Sequence, residues 1–319
     1  METLTITAFA KDTLEGLSAT HKYLSSKYFY DAKGSRIFQD IMQMPEYYLT
    51  DCELEIFRNR KQEIFEAFTE QDARYNLIEL GAGDGLKTKV LLSHLLYKKA
   101  NFEYTPIDIS EQAINNLVLD LEQKIPGIKI NGKVGDYFHL IERISQYDHS
   151  KKIILFLGSN IGNFNKSQSL SFLNKLNSQM QSGDLLFIGF DLKKDQNIIL
   201  KAYNDPHGHT AAFNLNLLQR INNELNANFN LDNFRHVEVY DPESGTAKSK
   251  LISLKKQEII IYDLNKIISF EQGESIFMEV SQKYDMEMIM DIANKSGFEI
   301  VRNLYDKRQY FVNSLWKLK

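Results

Sequence analysis

Asn76-Leu-Ile-Glu-Leu80 runs straight into Gly81-Ala-Gly-Asp-Gly85, and this junction decides the fold. A short apolar run of this length fits a buried strand. Glycines behind it let the backbone turn sharply and approach a ligand, because no Cβ stands in the way. A dinucleotide site ordinarily reads Gly-x-Gly-x-x-Gly, whereas Leu86 occupies the last position here. By itself a Gly-x-Gly after a strand is also a common structural turn.

The flanking sequence repeats the pattern. A helical stretch runs through Leu96, and Phe102–Ile109 reads as a second strand followed by a helix over Glu111–Lys124. Ile128–Val134 is a third strand candidate, leading into Gly135-Asp136-Tyr137. Lys152–Leu157 and Asp184–Phe190 are continuously apolar, as strands buried on both faces are, and Lys166–Gln181 between them reads as a helix ended by Gly183. Met286–Lys295 is helical, and Phe298–Leu304 with Tyr310–Leu315 forms a closing hairpin. This βαβαβ rhythm predicts an α/β fold, a doubly wound Rossmann-like parallel sheet. Residues 1–60 and 194–282 fall outside the rhythm and are read as the two parts of a smaller α+β lobe. Residues 61–193 then form the sheet core, and 283–319 complete it.

Carboxylates at the strand ends add chemistry. Asp108 ends the second strand 27 residues after Gly81, where it can accept both ribose hydroxyls of a nucleoside. Asp136 ends the third strand and can accept from an adenine amino group, with Tyr137 flanking the ring. Each Asp alone also suits a helix cap or a turn. The expected ligand position is at the carboxyl ends of the strands, where strand order reverses.

Composition narrows the classes. Of 319 residues, 43% are hydrophobic and 25% charged, as in a folded domain, and the net charge of −4 gives no footprint for nucleic acid. Cys52 is the single cysteine, so no internal disulfide forms and a reduced thiol is expected. The N-terminal stretch METLTITAFAKDTLEG lacks the basic start and apolar core of a signal peptide. Apolar runs such as Ile153–Leu157 and Leu185–Ile188 are far too short to span a bilayer. A cytoplasmic monomer, with no membrane or nucleic-acid partner, is expected. There is no phosphate-loop motif and no cysteine pair for a metal. His207 and His209 are read as loop residues.

With those residues in hand, the chain resembles the histidine Nα-methyltransferase family of ergothioneine biosynthesis nearly end to end. The strings that carry the likeness are Lys27-Tyr-Phe-Tyr-Asp-Ala-Lys-Gly-Ser35, Pro45-Glu-Tyr-Tyr48, Glu79-Leu-Gly-Ala-Gly83, Phe156-Leu-Gly-Ser-Asn-Ile-Gly-Asn163, Asp191-Leu-Lys-Lys-Asp195, Ala202-Tyr203, Ala212-Phe-Asn214 and Glu279-Val-Ser281. The resemblance implies a methyltransferase whose S-adenosylmethionine is held by Gly81, Lys87, Asp108, Asp136 and Tyr137. It further implies that Asn163 and Tyr203 bind the carboxylate of an amino-acid substrate and that Tyr47 meets its amino group. Tyr30, Phe38, Gly158 and Thr210 would shape the cavity, Glu279 and Ser281 would read an imidazole, and the smaller lobe would cover the substrate. Methyl transfer from a sulfonium to a neutral amine needs alignment and a dry enclosure rather than a nucleophile or metal of the protein. Aromatic walls suit a quaternary ammonium product.

The chain departs from the family in three places. Asp84-Gly85-Leu86 stands where small polar residues are usual, Asn160 where Thr is usual, and Ser244–Lys250 where an apolar residue, often Met, meets the imidazole. The last difference leaves another amino acid, tyrosine or tryptophan, as an alternative substrate. A nicotinamide oxidoreductase and a non-catalytic nucleoside-binding protein are the remaining alternatives.

Overall fold

The computed structural model describes residues 7–69, 74–148 and 150–319; residues 1–6 of the N-terminal stretch lie outside it, as do 70–73 and 149. In chain order the strands are β1 (Tyr75–Leu80), β2 (Phe102–Asp108), β3 (Lys133–Val134), β4 (Lys151–Phe156), β5 (Leu185–Asp191), β6 (Phe234–Asp241), β7 (Thr246–Ser253), β8 (Gln257–Ile261), β9 (Lys266–Phe270), β10 (Ser275–Gln282), β11 (Phe298–Tyr305) and β12 (Phe311–Leu318).

Two units divide the chain, Leu49–Lys193 with Gln282–Lys319, and Met1–Tyr48 with Lys194–Ser281. In the first, a seven-stranded sheet has the order β11-β12-β5-β4-β1-β2-β3. β1 pairs in parallel with both β2 and β4, so the order reverses there and the carboxyl ends of β1 and β4 flank the switch point. β1 and β5 are buried at every residue, as strands covered on both faces are. β12 enters antiparallel between β5 and β11. Ile78, Ile154, Ile188, Phe190, Ile289 and Trp316 belong to one apolar core within this unit.

Helix ends are specified locally. Glu111–Lys124 begins at Ser110, whose side chain accepts the Ala113 N–H at 3.2 Å. Lys166–Asn177 starts with a reciprocal capping box of Asn165 and Gln168. It ends four residues before the expected Gln181. The third strand is reduced to Lys133–Val134, joined upstream only by the Tyr104–Ile130 bridge. Pro106 of β2 explains the interruption: it follows Tyr104 on that edge and has no N–H to give the third strand.

Residues 49–60, expected in the smaller lobe, group with the sheet unit instead. The helix Tyr48–Phe68 carries Phe57 and Phe68 against Phe187 of β5, at ring separations of 6.1 and 5.7 Å. The other unit has its own core, which includes Phe29, Ile41, Phe213, Leu217, Leu251 and Met278. Its strands form a three-stranded sheet, β10-β7-β6, and a separate β8-β9 pair.

Candidate active site

Within the sheet unit, Gly81 ends β1 at φ 71°, a left-handed conformation that glycine adopts without penalty. A Cβ there would lie 3.0 Å from the Tyr137 hydroxyl and 3.3 Å from the Asn160 side-chain nitrogen. A side chain at this turn would be strained by the dihedral and would crowd the ends of two neighbouring side chains. Asp108 lies beside it: one oxygen accepts the Gly83 N–H at 3.4 Å and the other the Ser110 N–H at 3.0 Å. A carboxylate offers about four acceptor positions, so capacity for a diol is left. Asp136 caps the helix Tyr137–Tyr147 by accepting the His139 N–H at 3.1 Å. Burial, then the nearby carboxylates of Asp108 and Asp136, push the Tyr137 hydroxyl up to about 12, so it is a neutral hydrogen-bond donor at neutral pH.

β4 leads into a second constrained turn. Gly158 has φ 70° and Ser159 φ 57°, the latter uncommon for a residue with a side chain. The Ser159 hydroxyl oxygen accepts the Asp191 N–H at 3.1 Å and fixes the loop to the end of β5. A 3₁₀ turn, Asn160–Asn163, follows and places Asn163 at its last residue, part-exposed. Lys87 reaches this loop. Its ammonium lies 2.5 Å from Glu53 Oε2, and a Cβ on Gly158 would lie 3.3 Å from it.

The smaller unit gathers the aromatic candidates. Tyr30 and Phe38 pack edge to face at 5.4 Å, and Phe38 meets Tyr47 at 6.2 Å. Tyr47 in turn meets Tyr203 at 6.2 Å. Phe213 joins the group, 5.5 Å from Tyr30 and 5.7 Å from Phe38. Tyr203 and Ser281 are both buried, and their hydroxyls are 2.9 Å apart. Burial along β10 alternates through Ile276 and Met278, then shifts: Glu279 and Val280 are both part-exposed and Ser281 is buried.

Thr210 is buried in the first turn of the helix His209–Leu225. The expected loop at His209 is a helix start, because Asp205 accepts the N–H groups of His209 and Thr210 at 2.9 and 2.8 Å. His207 remains outside the helix. Among the described residues, no helix is long and apolar enough to cross a membrane.

Two participants escape a reading of the sequence. Glu53 is fully buried and receives three donors. Its signal was an acidic residue inside the apolar stripe Leu49, Cys52, Ile56 and Phe57 of one helix, where a solvated charge has no place. Phe213 lies in Ala212-Phe-Asn214, but an aromatic on a helix reads the same whether it lines a cavity or a core.

The glycine loop, the carboxylate beside it and the aromatic group suit a nucleoside and an amine, and comparison with known proteins agrees. A family model described as histidine-specific methyltransferase, SAM-dependent, matches residues 9–318. The chain is 33% identical to a histidine N-alpha-methyltransferase of Mycobacterium tuberculosis, over 97% of this chain and 94% of that protein. It is 28% identical to ergothioneine biosynthesis protein 1 of Schizosaccharomyces pombe, over 87% of this chain and 36% of that longer protein. It is also 28% identical to an L-tryptophan methyltransferase of Psilocybe serbica, over 95% of this chain and 91% of that one.

Proposed function

The chain belongs to the family of histidine-specific, S-adenosylmethionine-dependent methyltransferases, and on that premise we propose that it methylates the α-nitrogen of free L-histidine, through to the trimethyl betaine of the ergothioneine pathway. The cofactor supplies an electrophilic methyl group on a sulfonium. The residues around Gly81 fit such a ligand, since a Cβ would fill the space over that turn and Asp108 keeps acceptor capacity beside it.

The protein's own contribution is binding and alignment. Gly81, Lys87, Asp108, Asp136 and Tyr137 hold the cofactor, from the sheet unit. Asn163 and Tyr203 take the substrate carboxylate and Tyr47 orients its amino group. Tyr30, Phe38, Gly158 and Thr210 bound the cavity. Aromatic faces attract a cationic ammonium and exclude water from it, so the group becomes a better host as methyl groups accumulate. Glu279 and Ser281 offer an acceptor and a hydroxyl to the imidazole, whose ring N–H and accessible cationic form match a carboxylate.

The observation that carries this reading is the run from the Tyr47 ring to Tyr203 at 6.2 Å and on through its hydroxyl to Ser281 at 2.9 Å. It joins residues from three separate parts of the sequence, each assigned to the same small substrate. Incubation with labelled S-adenosylmethionine and all twenty amino acids, followed by mass identification of the product, tests it. Trimethylhistidine without ring methylation is expected; a product built on another amino acid would refute it. Tryptophan is the second reading, supported by the similarity to the tryptophan methyltransferase. We further propose a cytoplasmic monomer acting on a small molecule alone, which light scattering of the purified protein checks.

A further inference from the structure

Glu53 is the least expected charge in the molecule. It is 0% exposed, on the inward stripe of the helix Tyr48–Phe68. Its Oε2 accepts from the Lys87 ammonium at 2.5 Å and from the Gly158 N–H at 2.9 Å, and its Oε1 accepts from the Asn313 amide at 2.8 Å. Two glycines leave room for it. A Cβ on Gly189 of β5 would lie 2.5 Å from Glu53 Oε1, and one on Gly158 would lie 3.3 Å from the Lys87 nitrogen. One carboxylate thus binds the segment after the glycine turn, the loop after β4, and β12.

A buried ion pair is weak evidence for stability, because removing both charges from water costs about as much as their attraction returns. This pair is also asymmetric. The Glu53 side chain is 0% exposed and that of Lys87 is 20% exposed, so the anion lies inside and the cation at the strand-end surface. A lysine is a point charge on a flexible four-carbon stem with three donors. Glu53 takes one of them and ends the stem's freedom. What is left is a cation held against Gly158, after β4, with donor capacity to spare.

We propose that Glu53 is a positioning residue for cofactor recognition: it holds Lys87 where the ammonium meets the carboxylate of the cofactor's amino-acid end. The proposal rests on the reading of this site as the S-adenosylmethionine site. It also assigns the Gly158 N–H a fixed direction, since the same Glu53 oxygen receives it. Glu53 itself touches no ligand.

Calorimetry with two ligands tests the idea. S-adenosylhomocysteine carries the aminocarboxylate end, whereas 5′-methylthioadenosine has the same nucleoside and thioether without it. Wild-type protein should bind both, and protein that binds neither overturns the cofactor reading rather than the role of Glu53. Glu53→Gln should weaken S-adenosylhomocysteine about 10- to 100-fold, the scale of one misplaced charged hydrogen bond, and leave 5′-methylthioadenosine within about twofold. Lys87→Met should show the same selectivity, and adding Glu53→Gln to it should cost little more. Should Glu53→Gln fail to fold, Glu53→Asp, one methylene short of Lys87, is read in the same way. Equal losses for both ligands would make Glu53 a general structural residue and overturn the proposal. So would unchanged binding, or tighter binding of S-adenosylhomocysteine, which would mark Glu53 as a counter-charge that weakens Lys87.

Discussion

The two units build their candidate residues by different means. In the sheet unit, backbone and charge dominate: glycines at φ 71° and 70°, carboxylates held by N–H groups, and a lysine pinned by a buried glutamate. In the smaller unit the candidates are side chains touching side chains, five aromatic rings in sequence and a hydroxyl pair. A turn that admits only glycine is tied to its backbone path, whereas an aromatic group can be re-lined one ring at a time. Relatives of this chain carry names that specify different amino acids, histidine in one and tryptophan in another.

The largest test of that contrast removes the substrate's carboxylate. Histamine lacks the group assigned to Asn163 and Tyr203, and kcat/KM should fall on the order of 10⁴-fold relative to histidine. Comparable turnover would dissolve the assignment of Asn163 and Tyr203 to the carboxylate while leaving the cofactor residues untouched. Next, Asp108→Ala should weaken S-adenosylhomocysteine by about 1.5–3 kcal/mol, the worth of a charged hydrogen bond. Unchanged affinity in a folded variant would remove Asp108 from the site. Glu279→Ala should lower kcat/KM for histidine by a similar factor and narrow its advantage over tryptophan, with S-adenosylhomocysteine affinity near wild type. A Glu279 that merely faces solvent predicts unaltered kinetics.

The units should also answer pH in opposite directions. His236, in the smaller unit, is depressed from 6.5 to about 4, chiefly by burial. The unfolded chain binds its proton first as pH falls, so this neutral histidine's contribution is intact above about 6.5 and lost on descent through 4. The loss is about 3 kcal/mol at most, at 1.36 kcal/mol per pH unit. Glu79, in the sheet unit, is raised from 4.5 to about 7 by burial, against the lowering donors Tyr104 and Thr88. Its sign is reversed: the contribution is whole below about 4.5 and disappears as pH rises through 7. Denaturant melts of His236→Asn and Glu79→Gln across pH 4–8 check this. His236→Asn should flatten the acid limb and Glu79→Gln the neutral limb. In the same melts the smallest effect on stability is expected for Tyr203→Phe, about 1 kcal/mol for the hydroxyl contact with Ser281.

Much of the sheet was legible because its strands and caps are local signals. β4 and β5 are continuous apolar runs, and Glu111–Lys124 follows a serine cap. β3 was overread because its neighbour in β2, Pro106, has no N–H to pair with, a relation between segments that a local pattern does not contain. The same limit hid Glu53, whose three donors come from residues 87, 158 and 313. Gly81 and Asp108 could be named from glycine chemistry and strand position. Tyr30, Phe38, Tyr47 and Tyr203 could not, since an aromatic in a core and an aromatic in a wall leave the same mark; only the family strings singled them out.

β12 has a consequence in time. It occupies an interior position of the sheet, between β5 and β11, yet it comes later in the sequence than every other strand. A ribosome adding roughly 5–20 residues per second needs some 6–24 seconds to pass from Asp191 to Phe311. For that interval β5 carries an unpaired edge, and the buried face that will receive Trp316 stays open. Until Phe311 is added the nascent chain is an open-edged sheet, and that is the stage at which a chaperone or a second nascent copy would find it.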